Sequence, residues 1–302
     1  RRPGAGLTGS CPTMGHAWSL PDIRSPLAAR ADLYHRIREF MRARDILEVE
    51  TPSLCATATP DPNLHSLQTT LTLPDGRQRS LFLHTSPEYA MKRLLAAGAG
   101  AIYQIGKVYR DEEAGRLHNP EFSMLEWYRP HFDSRRMMDE IGELLQWLGF
   151  SVPRRVSYEQ VFRAITGLNP HTCTMAELQR EASKAGFASE HAGRSELLDF
   201  LFDHLRGDYL QKNTPYLVYD FPACQAALAR LRQDDWPVAE RFELFINHLE
   251  IANGFYELND SAEQRQRFIE ENRIREQQGR PQQALDEAFL AVLDALPECA
   301  GV

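Results

Sequence analysis

The chain has 302 residues, 43% of them hydrophobic and 25% charged, which is enough to bury a sizeable core in one large domain or two small ones. A net charge of -8 and a sequence pI near 5.7 exclude a protein whose affinity rests on a general basic surface, so a nucleic-acid partner is not implied, although a local basic groove for phosphates remains open. No apolar run approaches the ~20 residues of a membrane span, the N-terminus lacks the apolar centre of a signal peptide, and Cys11, Cys55, Cys173, Cys224 and Cys299 show no paired spacing for zinc or disulfides, which fits a reducing cytoplasm.

In chain order, residues 1–25 begin Gly/Pro-rich and read as a flexible tail in which Met14 is a candidate start. From Pro26 a helical pattern takes over: Leu33, Ile37, Phe40 and Met41 recur at three and four residues, and the helix is expected to end near Arg44. "ILEVETPSL" is a short β-prone segment closed by Pro52, which gives no ladder hydrogen bond and suits a strand end. "HSLQTTLTL" and "RSLFLHT" alternate as strands around the turn "PDG", and "SPEYAMKRLLAAG" is a helix stopped by Gly98. Residues 134–149 and 174–207 are predicted helical, "PYLVYDFP" a strand, and "ERFELFINHLEIANGFYELND" a strand pair. A long helix rich in Glu, Gln and Arg follows, expected to be a solvated surface helix.

The stretch "YQIGKVYRDEEAGRLHNPEFSMLEWYRP", residues 103–130, mixes both signs of charge with aromatics at strand spacing. Alternation puts Arg110 on the face of Gln104, Gly106 and Val108, and Glu126 on the face of Phe122, Met124 and Tyr128. The segment "AGRLHNP" is then a loop between two antiparallel strands, and Gly106 leaves room for close approach of a ligand. Arginines on such a floor suit phosphate oxygens, and carboxylates beside them suit an amine. On composition alone, a surface hairpin whose charges pair with one another is the favoured reading, and the site is the alternative.

"YRDEEAGRLHNPEFSMLEWY" resembles motif 2 of the class II aminoacyl-tRNA synthetases, in the lysyl branch marked by "HNPEF", and "RADLYHRIREFMRARDILEVETP" is similar to motif 1. "TSPEYAMKRLL", "LEWYRPHFD" and "FPACQAALARL" look most like the lysyl-tRNA synthetase-like ligases that modify elongation factor P. The resemblance, which runs from about Leu27 onward, implies an α+β fold with an antiparallel six-stranded sheet flanked by helices, ATP bent over the sheet, and a homodimer formed through motif 1. Carried over by position, Arg110 would contact the ATP α-phosphate. Asp111, Glu112, Asn119, Glu250 and Ile251 would lie along the nucleotide, and Arg116 and His118 would belong to a mobile loop over it. Ser86, Pro87 and Glu88 would line the amino-acid pocket. Glu126, Tyr128, Asn253 and Glu257 would face the amino groups of lysine or (R)-β-lysine.

Glu243 and Glu250 are seven apart, so on one continuous strand they would face opposite ways. A two-residue turn at Asn247 and His248 sets Phe245 opposite Glu250 and brings both carboxylates to one face, whereas a three-residue loop would separate them. Two carboxylates within roughly 7 Å repel unless a cation or a shared proton intervenes, and Mg2+ on nucleotide phosphates is a natural cation here, as the resemblance also implies. His248 stands where related chains often carry glycine, at a position that can require positive φ.

The implied chemistry is attack of a substrate carboxylate on the ATP α-phosphorus, giving an acyl-adenylate that an amine then cleaves. A lysyl-tRNA synthetase normally carries an oligonucleotide-binding barrel before motif 1, but about two dozen residues precede it here. The expected acceptor is therefore a protein lysine, with transfer RNA disfavoured, and the resemblance implies that this lysine belongs to elongation factor P, with (R)-β-lysine as donor. The rivals are a synthetase core that charges transfer RNA and a non-catalytic nucleotide-binding paralogue. Residues 26–302 read as one catalytic domain that stops at Val302, before the arginine-bearing motif 3 of the family.

Overall fold

Helix α1 (Arg24–Arg42) forms where the apolar spacing predicts it and buries Ile37, Phe40 and Met41, leaving Leu27 and Leu33 exposed. The computed structural model describes residues 23–302 apart from 113, 116, 117, 190, 191 and 248, so the tail expected over 1–22 lies outside the described residues. Strands β1 (Leu47–Glu48) and β2 (Leu54–Cys55) come from "ILEVETPSLC", interrupted at Pro52. The predicted hairpin is β3 (Gln68–Thr72) and β4 (Gln78–Leu83), which with β2 makes a small separate sheet in the order β2-β4-β3. Helix α2 (Glu88–Ala96) follows, and the chain leaves it through Gly98 at φ +87°, a conformation that glycine adopts without a Cβ penalty.

The main sheet is built from β5 (Ile102–Tyr109), β6 (Glu121–Pro130), β7 (Arg154–Ser157), β8 (Tyr216–Pro222), β9 (Leu231–Gln233), β10 (Pro237–Ile246), β11 (Leu249–Tyr256) and β12 (Cys299–Gly301), together with β1. Its order is β1-β5-β6-β12-β11-β10-β8-β7, with β9 on the end of β10. This corrects the expectation of an antiparallel six-stranded sheet, because the sheet is mixed. The run from β5 to β8 is antiparallel, but β1 joins β5 and β7 joins β8 in parallel. The two parallel partners are short and rest at the ends of the sheet, where sequence alternation has too few residues to register.

Helices cover both faces. On the back, α1 and α3 (Ser134–Trp147) press Phe40, Met41, Met137 and Ile141 onto Tyr103, Trp127, Phe242 and Leu244. The front is covered at its two ends only. At one end α2, α7 (Ser261–Gln277) and α8 (Glu287–Leu293) pack Met91, Phe268 and Phe289 on Ile102 and Tyr128. At the other, α4 (Tyr158–Thr166), α5 (Met175–Lys184) and α6 (Arg194–Tyr209) pack Phe162, Leu178 and Leu201 on Val218 and Phe245. Between these two apolar clusters the front face is polar, and the site lies there.

Two helical expectations are corrected. Residues 174–207 form two helices rather than one, because Gly186 at φ +95° ends the first, its N–H bonded to the Ser183 carbonyl at 3.1 Å, and Gly193 caps the second. Helix α7 is not a solvated surface helix. Gln264, Phe268, Asn272 and Arg275 recur at helical spacing and are buried, with Arg275 donating to the carbonyls of Pro281 and Asp61 at 3.0 Å each. Its buried stripe is mostly polar, which hides it from a hydrophobic pattern.

Candidate active site

Strands β5 and β6 pair in the register Gln104↔Glu126 and Gly106↔Met124, so the predicted face is formed. The Tyr128 hydroxyl donates to Glu126 Oε1 at 2.8 Å, and both residues are buried. Gly301 of β12 lies opposite Tyr128, and Phe255 of β11 opposite Gly301, which carries the same face across to β11 and then to Arg241 and Glu243 of β10.

The β10–β11 register settles the hairpin. Ile246 pairs with Leu249 and Phe245 with Glu250, leaving two residues in the turn, with Asn247 at φ +52°; His248 lies outside the described residues. One step further the register shifts, since Leu244 pairs with Ala252 and Glu243 with Asn253. Ile251 is the extra residue of a β-bulge and is exposed. On a regular strand Glu250 would face away from Asn253 and Phe255. The bulge turns them to one side, so Glu250, Asn253 and the following Glu257 all join the face of Glu126 and Tyr128.

A buried acidic pocket occupies one part of this face. Lys92 of α2, 1% exposed, lies 2.6 Å from Glu88 Oε1 and 2.6 Å from Glu257 Oε2, and Glu257 is itself 1% exposed. Ser86 and the buried Pro87 lead into α2, and the Ser86 hydroxyl accepts from the Glu88 N–H at 3.4 Å. Among the described residues the buried Asn253 Oδ1 has no hydrogen-bond partner, which leaves it an acceptor open to a ligand amine. Burial, Glu88 and Glu257 push the Glu126 carboxyl up to about 8, against its bond from Tyr128. Burial likewise raises the Glu257 carboxyl to about 8, with Lys92 opposing and Glu88 adding to the shift.

These shifts carry a sign. The folded protein binds both protons more tightly than the unfolded chain, whose glutamates titrate near 4.5, so the stability they contribute is full below that value and is lost as pH rises toward about 8. The ligand-free protein is expected to lose melting temperature across this window, and Glu126→Gln, which no longer titrates, to lose less. Parallel pH profiles for the two proteins would contradict the assignment.

The second part of the face is built around Arg110. Its N–H bonds to the Pro120 carbonyl at 2.9 Å, its guanidinium rests over Phe122 at 5.2 Å, and Nε donates to the Thr85 carbonyl at 3.4 Å. Beyond it, the Asp111 N–H bonds to the His65 carbonyl at 2.7 Å, and Glu112, in the left-handed region at φ +63°, accepts from Arg280 Nη2 at 3.0 Å. His118 and Asn119 are exposed, and Arg116 lies outside the described residues. Glu243 is ion-paired to Arg241, whose Nη1 donates to the Gln225 carbonyl at 2.8 Å. Desolvation and the like charge of Glu243 push the Glu250 carboxyl up to about 7, against Arg241, Arg110 and Arg206. Glu250 is an exposed residue.

The donor set fits a magnesium ion bound through one or two carboxylates and substrate phosphates. Among the described residues no group of three or more His, Cys, Asp and Glu side chains is placed to hold a metal by itself, and a cation at Glu250 would relieve its repulsion with Glu243. Sequence reasoning missed Lys92, Arg241 and Gly301. The only signal for Lys92 was its i, i+4 spacing from Glu88 beside the apolar Met91 and Leu95.

A family model described as "tRNA synthetases class II (D, K and N)" matches residues 16–302. The chain is 46% identical over 280 residues to the "Elongation factor P--(R)-beta-lysine ligase" of Haemophilus ducreyi, covering 91% of this chain and 86% of that protein. Proteins of the same name from Mannheimia succiniciproducens and Haemophilus influenzae are 47% identical over 290 residues and 45% identical over 293 residues. These matches cover 95% and 96% of this chain, and 90% of each relative.

Proposed function

The chain belongs to the class II tRNA synthetase (D, K and N) family, and from that premise we propose that it is an ATP-dependent ligase that activates (R)-β-lysine or lysine and transfers it to a lysine side chain of elongation factor P. The observation that carries this reading is one sheet face with a buried acidic pocket for amino groups beside an arginine and an open carboxylate suited to a nucleotide. In this reading Glu88, Glu126, Tyr128, Asn253 and Glu257 hold the substrate's amino groups and aim its carboxylate at the ATP α-phosphorus. The carboxylate oxygen attacks, pyrophosphate leaves, and the acceptor amine then attacks the acyl carbon and releases AMP, so no protein nucleophile is needed. Arg110 orients the α-phosphate through its planar fork and offsets charge that grows there. Asp111, Glu112, Arg116, His118, Asn119 and Ile251 flank the nucleotide. Magnesium, when bound, neutralises phosphate charge, and Glu250, with Glu243 behind it, would hold it. The apolar residues Leu27 and Leu33 on α1, with the exposed Leu47 beyond it, support a homodimer through this helix.

ATP–pyrophosphate exchange with a panel of amino acids tests the reading. Exchange is expected with the two lysine isomers and not with monoamino acids of similar length. Absence of exchange with every diamino acid would favour a non-catalytic nucleotide-binding protein.

A further inference from the structure

Lys92 is the feature of the pocket that the proposed chemistry does not use. Its side chain, on the helix that also carries Glu88, is 1% exposed, and its ammonium lies 2.6 Å from one oxygen each of Glu88 and Glu257. A pocket meant only to be acidic has no need of its own cation, and burying a lysine is costly unless its partners are well placed. The charge count explains its presence. Once substrate ammonium groups draw the protons from Glu126 and Glu257, Glu88, Glu126 and Glu257 bring three negative charges and Lys92 one positive charge, which leaves two, the number of ammonium groups on a diamino acid whose carboxylate points to the phosphate. Without Lys92, the same substrate would leave one buried carboxylate unpaired.

We infer that Lys92 is a positioning and specificity-determining residue: it holds Glu88 and Glu257 in place and sets the pocket's charge so that it accepts a substrate with two ammonium groups. This rests on the reading of the pocket as the amino-acid site. Lys92 acts through the two carboxylates and not on the reacting atoms. It also ties α2, which carries Glu88, to the chain just after β11, where Glu257 stands. The two halves of the pocket are thereby fixed before substrate arrives.

The test is calorimetric binding of (R)-β-lysine and of ATP, measured separately. Lys92→Met, which keeps the length and loses the charge, is expected to weaken (R)-β-lysine binding about 10- to 100-fold, as for loss of a charged hydrogen-bond partner, and to leave ATP binding unchanged. In Lys92→Ala, propylammonium should restore binding and 1-propanol, which fills the same space without charge, should not. If Lys92→Met does not fold, Lys92→Ala folded in propylammonium carries the comparison. Wild-type affinity for (R)-β-lysine in Lys92→Met, equal loss for ATP, or equal rescue by 1-propanol would overturn the inference, as would a wild-type protein that binds no diamino acid. A wild-type protein that binds (R)-β-lysine with Lys92-dependent affinity yet catalyses no exchange would instead overturn the ligase reading and leave the role of Lys92 standing.

Discussion

Arg110→Ala is expected to lower the rate of ATP–pyrophosphate exchange about 10²- to 10³-fold, the loss typical of removing one donor aimed at transition-state charge. The guanidinium leaves the end of β5 with its backbone tied to Pro120 and its plane resting on Phe122, so its direction over the sheet is set before a nucleotide binds. The Thr85 carbonyl, next to Ser86 of the proposed amino-acid pocket, accepts from its Nε at 3.4 Å, which joins the two halves of the candidate site. Arg110→Lys should remain severely impaired, because an ammonium offers a point charge where a planar fork is needed. The fold should persist in both variants, as read by an unchanged denaturation midpoint. Turnover close to wild type in Arg110→Lys would remove Arg110 from the role given to it.

Gly301→Ala is expected to damage both stability and amino-acid binding. A Cβ at this position would stand 2.3 Å from Tyr128 Cε1 and 2.4 Å from Glu257 Oε1, inside any real contact distance. Both neighbours are buried, so neither can swing into solvent, and Glu257 is further held by Lys92. Overpacking of this kind costs about 1–3 kcal/mol or more. Since the displaced atoms belong to the pocket, KM for (R)-β-lysine should rise while KM for ATP does not. Gly254→Ala makes a useful comparison: its Cβ would meet the Phe242 ring at 2.3 Å and the Gly301 carbonyl at 2.8 Å, so it should lower stability with a smaller effect on KM. Unchanged denaturation midpoints and KM in Gly301→Ala would contradict the packing described.

Both glycines illustrate where sequence reasoning stopped. The common face of Glu126 and Tyr128 was legible because a strand alternates with period two and β6 is ten residues long. The turn was legible only as a choice, since two residues at Asn247 and His248 bring Glu243 and Glu250 together and three do not, and the pairing of Ile246 with Leu249 selects the first. The bulge at Ile251 was not, although it alone brings Asn253 and Glu257 to the side of Glu250, because an inserted residue leaves no mark on a pattern of polar and apolar positions. Lys92 was illegible because a lysine on a helix reads as a surface residue, and only the third dimension sets Glu257 against it. Helix α7 misled in the opposite way, its buried positions being Gln264, Asn272 and Arg275 as well as Phe268. The parallel partners β1 and β7 escaped because two and four residues are too few to declare a direction.

In the proposed function this face activates a diamino acid for transfer to a protein. The most direct measurement incubates the 302-residue chain with ATP, magnesium, radiolabelled (R)-β-lysine and either elongation factor P or transfer RNA, and follows the label. Label is expected on elongation factor P, dependent on ATP and lost when the acceptor lysine is replaced, with little or none on transfer RNA. Label on transfer RNA with no labelled protein would contradict it.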